Sequence, residues 1–340
     1  MGAATNLVRV LVTGAGGFLG GGVVKALLAR GDDVCSLQRG DYPALDALGI
    51  DTIKGDIADK DAVVAASKDC HAIIHTAARA GVWGEYEDYY RSNVTGTLNV
   101  IEACRINNIQ RLVYTSSPSI VFEGEDEDGI DETTPLPAHY LTNYQRTKAE
   151  AEKVVLAANN EKLATVALRP HLIFGPGDPH LAPRIIERAK KGKLRLVGKR
   201  GNLVDITFVD NAVSAHLLAL DALHPGSNCS GKAYFISNDE PLPMADVVNR
   251  ILVAAGLPEV SATVSPWLAY AVGATMEAIY TLLRLQSEPF MTRFIARQLA
   301  CSHWYNITAA KRDLKYEALV SIDKGMQTLQ QSLQENNEMG

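Results

Sequence analysis

Tyr144-Gln-Arg-Thr-Lys148 is the only Tyr-x-x-x-Lys in the 340-residue chain. On a helix, positions i and i+4 share a face, so a phenol and an ammonium at this spacing can serve one reacting atom. A free phenol, with a pKa near 10, is too weak an acid at neutral pH. A neighbouring ammonium favours the phenolate and draws that pKa towards neutrality. The pair therefore suits a proton donor to the alkoxide that develops when a carbonyl receives hydride. Among twelve tyrosines, chance supplies about half a match to this spacing, so position in the chain must carry the assignment. Upstream, Arg111 to Thr115 reads as a strand ending in Ser116-Ser117. A serine hydroxyl there can hold the carbonyl oxygen. Ser117 is the first candidate and Ser116 the alternative, because a one-residue slip reverses which of them points inward. Asn93 is either a relay through water or an ordinary polar residue within a helix.

Hydride chemistry needs a nucleotide, and the start of the chain has a place for one. Leu7 to Thr13 is β-branched and apolar. Gly14, Gly17 and Gly20 follow, then a helical stretch to Arg30 with Val23, Val24, Leu27 and Leu28. Strand, tight turn and helix in that order present unpaired N–H groups of Phe18, Leu19 and Gly20 to a pyrophosphate at the helix N-terminus. The spacing is Gly-x-x-Gly-x-x-Gly. Strand two, Asp33 to Leu37, leads to Gln38-Arg39 where NAD-binding chains place a carboxylate for the ribose 2′-OH. A carboxylate would repel a 2′-phosphate and a guanidinium pairs with one, so NADP(H) is the expected cofactor. Asp56, after strand three, is placed for the adenine amino group or for a helix N-cap, with Ile57 beside it. Asp59 fits the N-cap better. Ala77, after strand four, leaves room for the cofactor across the strand ends. Tyr144, Lys148 and Pro170 complete its expected contacts, with Lys148 reaching the nicotinamide ribose. His75 has no His or Cys at metal spacing and reads as a packed histidine, and no metal site is expected.

Strands alternate with helices as far as Arg169-Pro170, the pattern of an α/β, Rossmann-type doubly wound parallel sheet. The expected NADP-binding domain is 1–169 plus about 205–222. Segments 170–204 and 223–335 would form a smaller, mostly helical substrate lobe that includes a strand at Ala233–Ile236. Helices are expected over about 85–107, 140–158, 182–191, 209–222, 244–255, 266–284, 287–300 and 321–334. The acidic stretch Glu123 to Glu132 reads as a solvated loop. Pro266 to Leu283 approaches the length of a membrane span, but Glu277, Gly273 and the nearby polar residues favour a lid over an apolar pocket, in contact with a bilayer surface, or an ordinary buried helix. A net charge of −6 argues against nucleic acid. Five scattered cysteines without Cys-x-x-Cys spacing suit reduced thiols in the cytoplasm.

Seven motifs occur in order: Thr13-Gly14-Ala15-Gly16-Gly17-Phe18-Leu19-Gly20, Gly55-Asp56, Asn93-Val94-Thr95-Gly96-Thr97, Tyr114-Thr115-Ser116-Ser117, Tyr144-x-x-x-Lys148, Arg169-Pro170 and Gly175-Pro176-Gly177-Asp178. Together they resemble the extended short-chain dehydrogenases/reductases, and more narrowly their 3β-hydroxysteroid dehydrogenase branch. Within it, Leu37 to Pro43, Ala80 to Gly84, Asn202 to Asp205, Ala233 to Asn238 and His303-Trp304-Tyr305 are similar to the reductases of bacterial long-chain olefin synthesis. That resemblance implies NADPH-dependent reduction of the 3-keto group of a 2-alkyl-3-ketoacid, a long-chain β-keto acid. It implies pathway partners that form a β-lactone and then decarboxylate it, and a homodimer through the helices containing Asn93 and Tyr144. Sterol-4-carboxylate 3-dehydrogenases look similar but would use NAD, which Gln38-Arg39 disfavours. Sugar-nucleotide epimerases and dehydratases share the nucleotide motifs, yet the apolar C-terminal helices do not suit a nucleotide diphosphate. A cofactor-binding sensor on the same fold would not need the Tyr–Lys pair.

Overall fold

The computed structural model describes residues 8–198 and 201–338. Leu7, which opens the first strand in the sequence reading, lies outside the described residues. Seven strands form one parallel sheet: β1 (Arg9–Thr13), β2 (Asp33–Gln38), β3 (Asp51–Lys54), β4 (Ala72–His75), β5 (Arg111–Thr115), β6 (Ala164–Pro170) and β7 (Lys232–Ile236). Their spatial order is β7-β6-β5-β4-β1-β2-β3. β1 pairs with both β2 and β4, so the winding reverses there and a crevice opens at the carboxyl ends, where this architecture takes ligands.

The helices that position the site are α1 (Phe18–Arg30), α2 (Gly96–Ile106), α3 (Asn143–Ala157), α4 (Val209–Ala222), α5 (Pro266–Leu282) and α6 (Arg293–Ala300). Successive strand residues face opposite sides of the sheet. Val10, Val12 and Ile74 therefore join Val23, Val24 and Leu27 of α1 and Ala215 and Ala219 of α4. Leu11, Ile73 and Leu112 join Val100 and Ala103 of α2 and Ala151 and Val155 of α3 on the other face. Cover on both faces explains why the central strands read as continuous apolar runs.

The smaller lobe is stitched by short strands. Leu242–Pro243, Leu203–Val204, His303–Tyr305 and Glu127–Ile130 make a four-stranded sheet in that order, and α5 packs on α6. Four expectations change. The strand assigned to the lobe closes the large sheet instead, with Ala233 opposite Ala167. A short apolar run buried on both faces carries no mark of which sheet it joins. The acidic stretch is not all solvated, because Glu127 is buried and accepts a hydrogen bond from the Tyr305 hydroxyl at 2.9 Å. The helix expected over 85–107 is three pieces, Tyr86–Tyr89, a π-helical turn Tyr90–Thr95 and α2. The helix expected over 287–300 begins only at Arg293. No helix among the described residues is long and apolar enough to cross a membrane.

Candidate active site

The glycine turn is a contact of backbone with backbone. Gly14 has φ +74°, and a Cβ there would lie 2.8 Å from the Ala77 backbone. A Cβ on Gly20 would lie 2.2 Å from the Gly14 carbonyl oxygen, and one on Gly17 would lie 3.2 Å from it. The first turn of α1, which holds Phe18, Leu19 and Gly20, has no side-chain cap and no acidic residue, so its N–H groups are left for an anion. At the end of β2, Gln38 is buried and neither its amide oxygen nor its nitrogen has a partner. Arg39 is exposed and makes no hydrogen bond or ion pair among the described residues. A cradle that side chains would fill, an orphaned buried amide and a free guanidinium fit a nicotinamide dinucleotide.

Other residues around the crevice are partly committed. Asp56 accepts from Arg91 Nη2 at 2.8 Å and from the Ala58 N–H at 3.0 Å, which competes with the expected adenine contact. Asp59 caps its helix through the N–H groups of Asp61 and Ala62. Half-buried Ile57 fills the space above Gly96, and half-buried Ala77 donates its N–H to Thr13 Oγ1 at 3.3 Å. Pro170 ends β6 and is buried. Sequence reasoning gave no role to Tyr42, whose ring lies where a Cβ on Gly16 would fall, 2.4 Å from Cζ. Its position two residues after Gly40 offered no distinguishing signal.

α3 begins with a capping box in which Thr142 Oγ1 accepts from the Gln145 N–H and the Gln145 side chain accepts from the Thr142 N–H. Gln145 Nε2 also donates to the carbonyls of Ser119 at 2.7 Å and Phe122 at 2.9 Å. The helix end that carries Tyr144 is thereby tied to the turn that carries Ser117. The Thr-x-x-Gln spacing signals this residue in the sequence, and the sequence reading passed over it. Ser117 is half-buried, its Oγ lies 2.8 Å from Ser119 Oγ, and its hydroxyl meets the Tyr144 phenol. Ser116 is buried with its hydroxyl unpaired. Of the two serines, Ser117 is the one brought to Tyr144.

Lys148 is buried, donates to the Thr115 carbonyl at 2.6 Å and lies over the Tyr114 ring. Burial lowers its pKa to about 7, against a smaller opposing pull from Glu152. The Tyr144 phenol is pushed up by burial and, to a lesser degree, by Tyr89, while Ser117 pulls it down. The expected descent towards neutrality is not found, because the Lys148 amine is turned to the Thr115 carbonyl and desolvation governs the phenol.

Asn93 sits in the π-helical turn, a feature that often marks functional positions. Its amide accepts from the Arg79 N–H at 2.7 Å and donates to the Arg79 carbonyl and to Thr147 Oγ1. A side chain so committed positions the loop after β4 against α3, and the expected relay would have to break these bonds. His75 is indeed packed, and it also bridges. Thr97 donates to the Asn93 carbonyl at 2.6 Å, so its oxygen accepts from His75 Nε2 at 3.0 Å. That fixes Nδ1 as the acceptor for Thr13 Oγ1 at 2.7 Å. One hydrogen-bonded chain thus joins the glycine turn to the π-helical turn.

Two hollows reach residues near this site: His303, which packs on Phe122, lines the first, and Asn143 and Arg146 of α3 line the second. One, of about 430 Å³, is lined mainly by aliphatic side chains, among them Leu196, Val248, Leu268, Ala269, Val272 and Leu299. The other, of about 900 Å³, is a wetter cleft between the loop at Trp83 and Gly84, the start of α3 and the far end of α5. No group of three or more His, Cys, Asp or Glu residues that could hold a metal occurs among the described residues.

Glycine cradle, Tyr–Lys helix and serine turn on a doubly wound sheet define an extended short-chain dehydrogenase/reductase, a nicotinamide-dependent oxidoreductase of the CH–OH/C=O couple. The chain belongs to the 3-beta hydroxysteroid dehydrogenase/isomerase family, whose model matches residues 11–266. It is 50% identical over 338 residues to the 2-alkyl-3-oxoalkanoate reductase of Shewanella oneidensis, covering 97% of this chain and 87% of that one. It is 35% identical over 331 residues to the human decarboxylating sterol-4-alpha-carboxylate 3-dehydrogenase, covering 95% and 88%. The solved structure of MoeE5 in complex with UDP-glucose and NAD matches with a TM-score of 0.74 at 25% identity, covering 97% and 99%.

Proposed function

We propose that the protein reduces the 3-keto group of a long-chain 2-alkyl-3-oxoalkanoate to the 3-hydroxy acid with NADPH, within long-chain olefin synthesis. The observation that carries this reading is an aliphatic hollow whose lining residue His303 packs on Phe122, the residue that Gln145 ties to the Tyr144 end of α3. The similarity to the Shewanella reductase supports it. When bound, the dinucleotide supplies hydride to the carbonyl carbon. Gly14, Gly17, Phe18, Leu19 and Gly20 would hold its pyrophosphate, and Gln38 and Arg39 its adenosine ribose and 2′-phosphate. Asp56, Ile57, Ala77 and Pro170 would line the rest. Tyr144 donates a proton to the carbonyl oxygen, Ser117 fixes that oxygen by hydrogen bonding, and Lys148 holds ribose hydroxyls and favours the phenolate left behind. Asn93 keeps α3 in place for this.

Sterol-4-carboxylate dehydrogenation is the second reading. The human relative favours it, and such substrates share a β-keto acid skeleton. A sugar-nucleotide substrate, as in the MoeE5 complex, suits the aliphatic hollow poorly. We further propose a cytoplasmic homodimer, to which exposed Leu98 and Ile106 on α2 lend support. Exposed Trp267, Leu282 and Leu283 of the α5 region support contact with a membrane surface or with the enzymes that form and decarboxylate the β-lactone. The test is oxidation of NADPH and of NADH with a 2-alkyl-3-ketoacid, a 3-ketosteroid and a UDP-4-ketosugar side by side. The branched acid with NADPH is expected to be fastest. Faster turnover of the steroid with NADH would replace this reading with the second.

A further inference from the structure

The two hollows are separated by one wall. Phe294, near the start of α6, faces the cleft, whereas Ile295, Gln298 and Leu299 on the same helix face the aliphatic cavity. α5 is divided in the same way. Leu268, Ala269 and Val272 line the cavity, and Glu277, Tyr280 and Thr281 line the cleft. Where the wall meets the catalytic side stands Phe122, which is buried. Its ring packs edge-on to Phe294 at 5.8 Å and to His303, a cavity residue, at 6.3 Å. Phe122 also ends the short 3₁₀ turn that Ser117 caps, and its carbonyl is held by Gln145, the neighbour of Tyr144. Phe122 is thus an aromatic partition linked to the cleft through Phe294, to the cavity through His303, and to the serine turn that it ends.

We propose that this partition is a fork that sorts the two arms of a branched substrate. With the carbonyl at Tyr144 and Ser117, one alkyl arm enters the aliphatic cavity under α5, and the other runs along the cleft past Trp83 and Phe294. The assignment rests on the branched β-keto acid reading above and adds where each arm goes. The two compartments differ in kind. The cavity presents mostly aliphatic surface, although Arg184, Arg188, Lys193 and Arg195 also line it, so an arm inside it leaves most of its water. The cleft carries Arg146, Glu277, Arg284 and Arg293 along its sides, so an arm there stays partly solvated. Chain length should then matter unequally for the two arms. Each methylene that enters the cavity should raise kcat/KM about fourfold until the cavity is full, and each one added along the cleft should raise it less.

The test uses two series of 2-alkyl-3-oxoalkanoates, one lengthened only on the 2-alkyl arm and the other only beyond C3. In the wild type, one series should show the steep dependence and the other the shallow one. Val272→Trp narrows the cavity and Thr281→Trp narrows the cleft. Val272 is 38% exposed and Thr281 is exposed on α5, and thermal melts check that each variant is folded. Val272→Trp should shift the ratio of kcat/KM between long members of the two series at least tenfold, and Thr281→Trp should shift it the opposite way. Equal slopes in the wild type, or both variants moving the ratio in one direction or not at all, would overturn the fork and leave the reductase reading intact. A wild type that reduces neither series would overturn the reductase reading and the fork with it.

Discussion

The crevice at the ends of β1 and β4 and the compartments under α5 and α6 are held by different physics. In the crevice, main chain meets main chain. An added methyl at Gly20 would overlap a carbonyl oxygen at 2.2 Å, both nitrogens of His75 are engaged, and the Asn93 amide spans two segments. Around the compartments the strands are two to four residues long, and the walls are side chains, mostly aliphatic in the cavity and mixed in the cleft. Swaps of similar volume in such walls usually cost under about 1.5 kcal/mol. Trp267 and Leu282 of α5 remain 76% and 82% exposed. Under the proposed function, the reaction belongs to geometry that tolerates no added atom, and the choice of substrate to volumes that can be reshaped without disturbing it.

Removal of the acid should give the largest effect and the cleanest test of that division. Tyr144→Phe keeps the ring against Tyr89 and removes only the proton donor. Loss of a positioned general acid typically costs 10²–10⁴-fold, so kcat should fall by about three orders of magnitude for every substrate alike. Cofactor binding, followed by the fluorescence of the reduced nicotinamide, should be retained. A loss smaller than about tenfold, or one confined to some substrates, would mean that the chemistry is not anchored at Tyr144.

This difference also explains what the sequence disclosed. The glycine spacing and the shared helix of Tyr144 and Lys148 are legible because backbone closeness and helical periodicity demand particular residues at particular intervals. The large sheet was legible for the same reason as far as β6, since βαβ units repeat. β7 was misplaced because a buried apolar run pairs with any strand of similar character. Glu127 was misread because an acidic neighbourhood usually means solvent, and its burial depends on Tyr305, 178 residues away. His75 read as packed, but the bridge it makes is visible only when Thr13, Thr97 and Asn93 are brought together by the fold. The fork at Phe122 depends on residues from three distant segments and has no local pattern.

Arg39 tests the cofactor side with a more moderate effect. Its guanidinium is exposed and free among the described residues, so Arg39→Asp should leave the fold unchanged. Hydrogen bonds to charged groups contribute about 1.5–3 kcal/mol, which makes the expected loss roughly 10- to 100-fold in kcat/KM for NADPH. NADH should be little affected or improved. The two coenzymes should respond differently with any one keto acid, whereas the compartments under α5 should respond to the keto acid with either coenzyme. An unchanged NADPH to NADH ratio would remove Arg39 from the 2′-phosphate site.

The smallest expected effect lies in the four-stranded sheet that holds Glu127 and is read as stability. Burial raises the Glu127 carboxyl to about 7, partly offset by the hydrogen bond from Tyr305 and increased slightly by Glu123. An unfolded Glu titrates near 4.3. Between these values the folded chain holds a proton that the unfolded chain has lost, so this group's contribution declines as pH rises through that window. The contribution is fully present below about pH 4 and gone above about pH 7. Burial shifts Lys148 in the opposite direction, to about 7 from a higher ordinary value, so above pH 7 its term rises with pH while that of Glu127 is exhausted. Glu127→Gln keeps an acceptor for the Tyr305 hydroxyl and abolishes the titration. Relative to the wild type, the variant should gain about 1–3 kcal/mol in unfolding free energy between pH 5 and pH 8, measured by urea unfolding at each pH. A difference that does not change with pH would show that Glu127 is not held protonated by the lobe. The strand Glu127–Ile130 would then be a solvent-tolerant edge instead of the buried support of Tyr305.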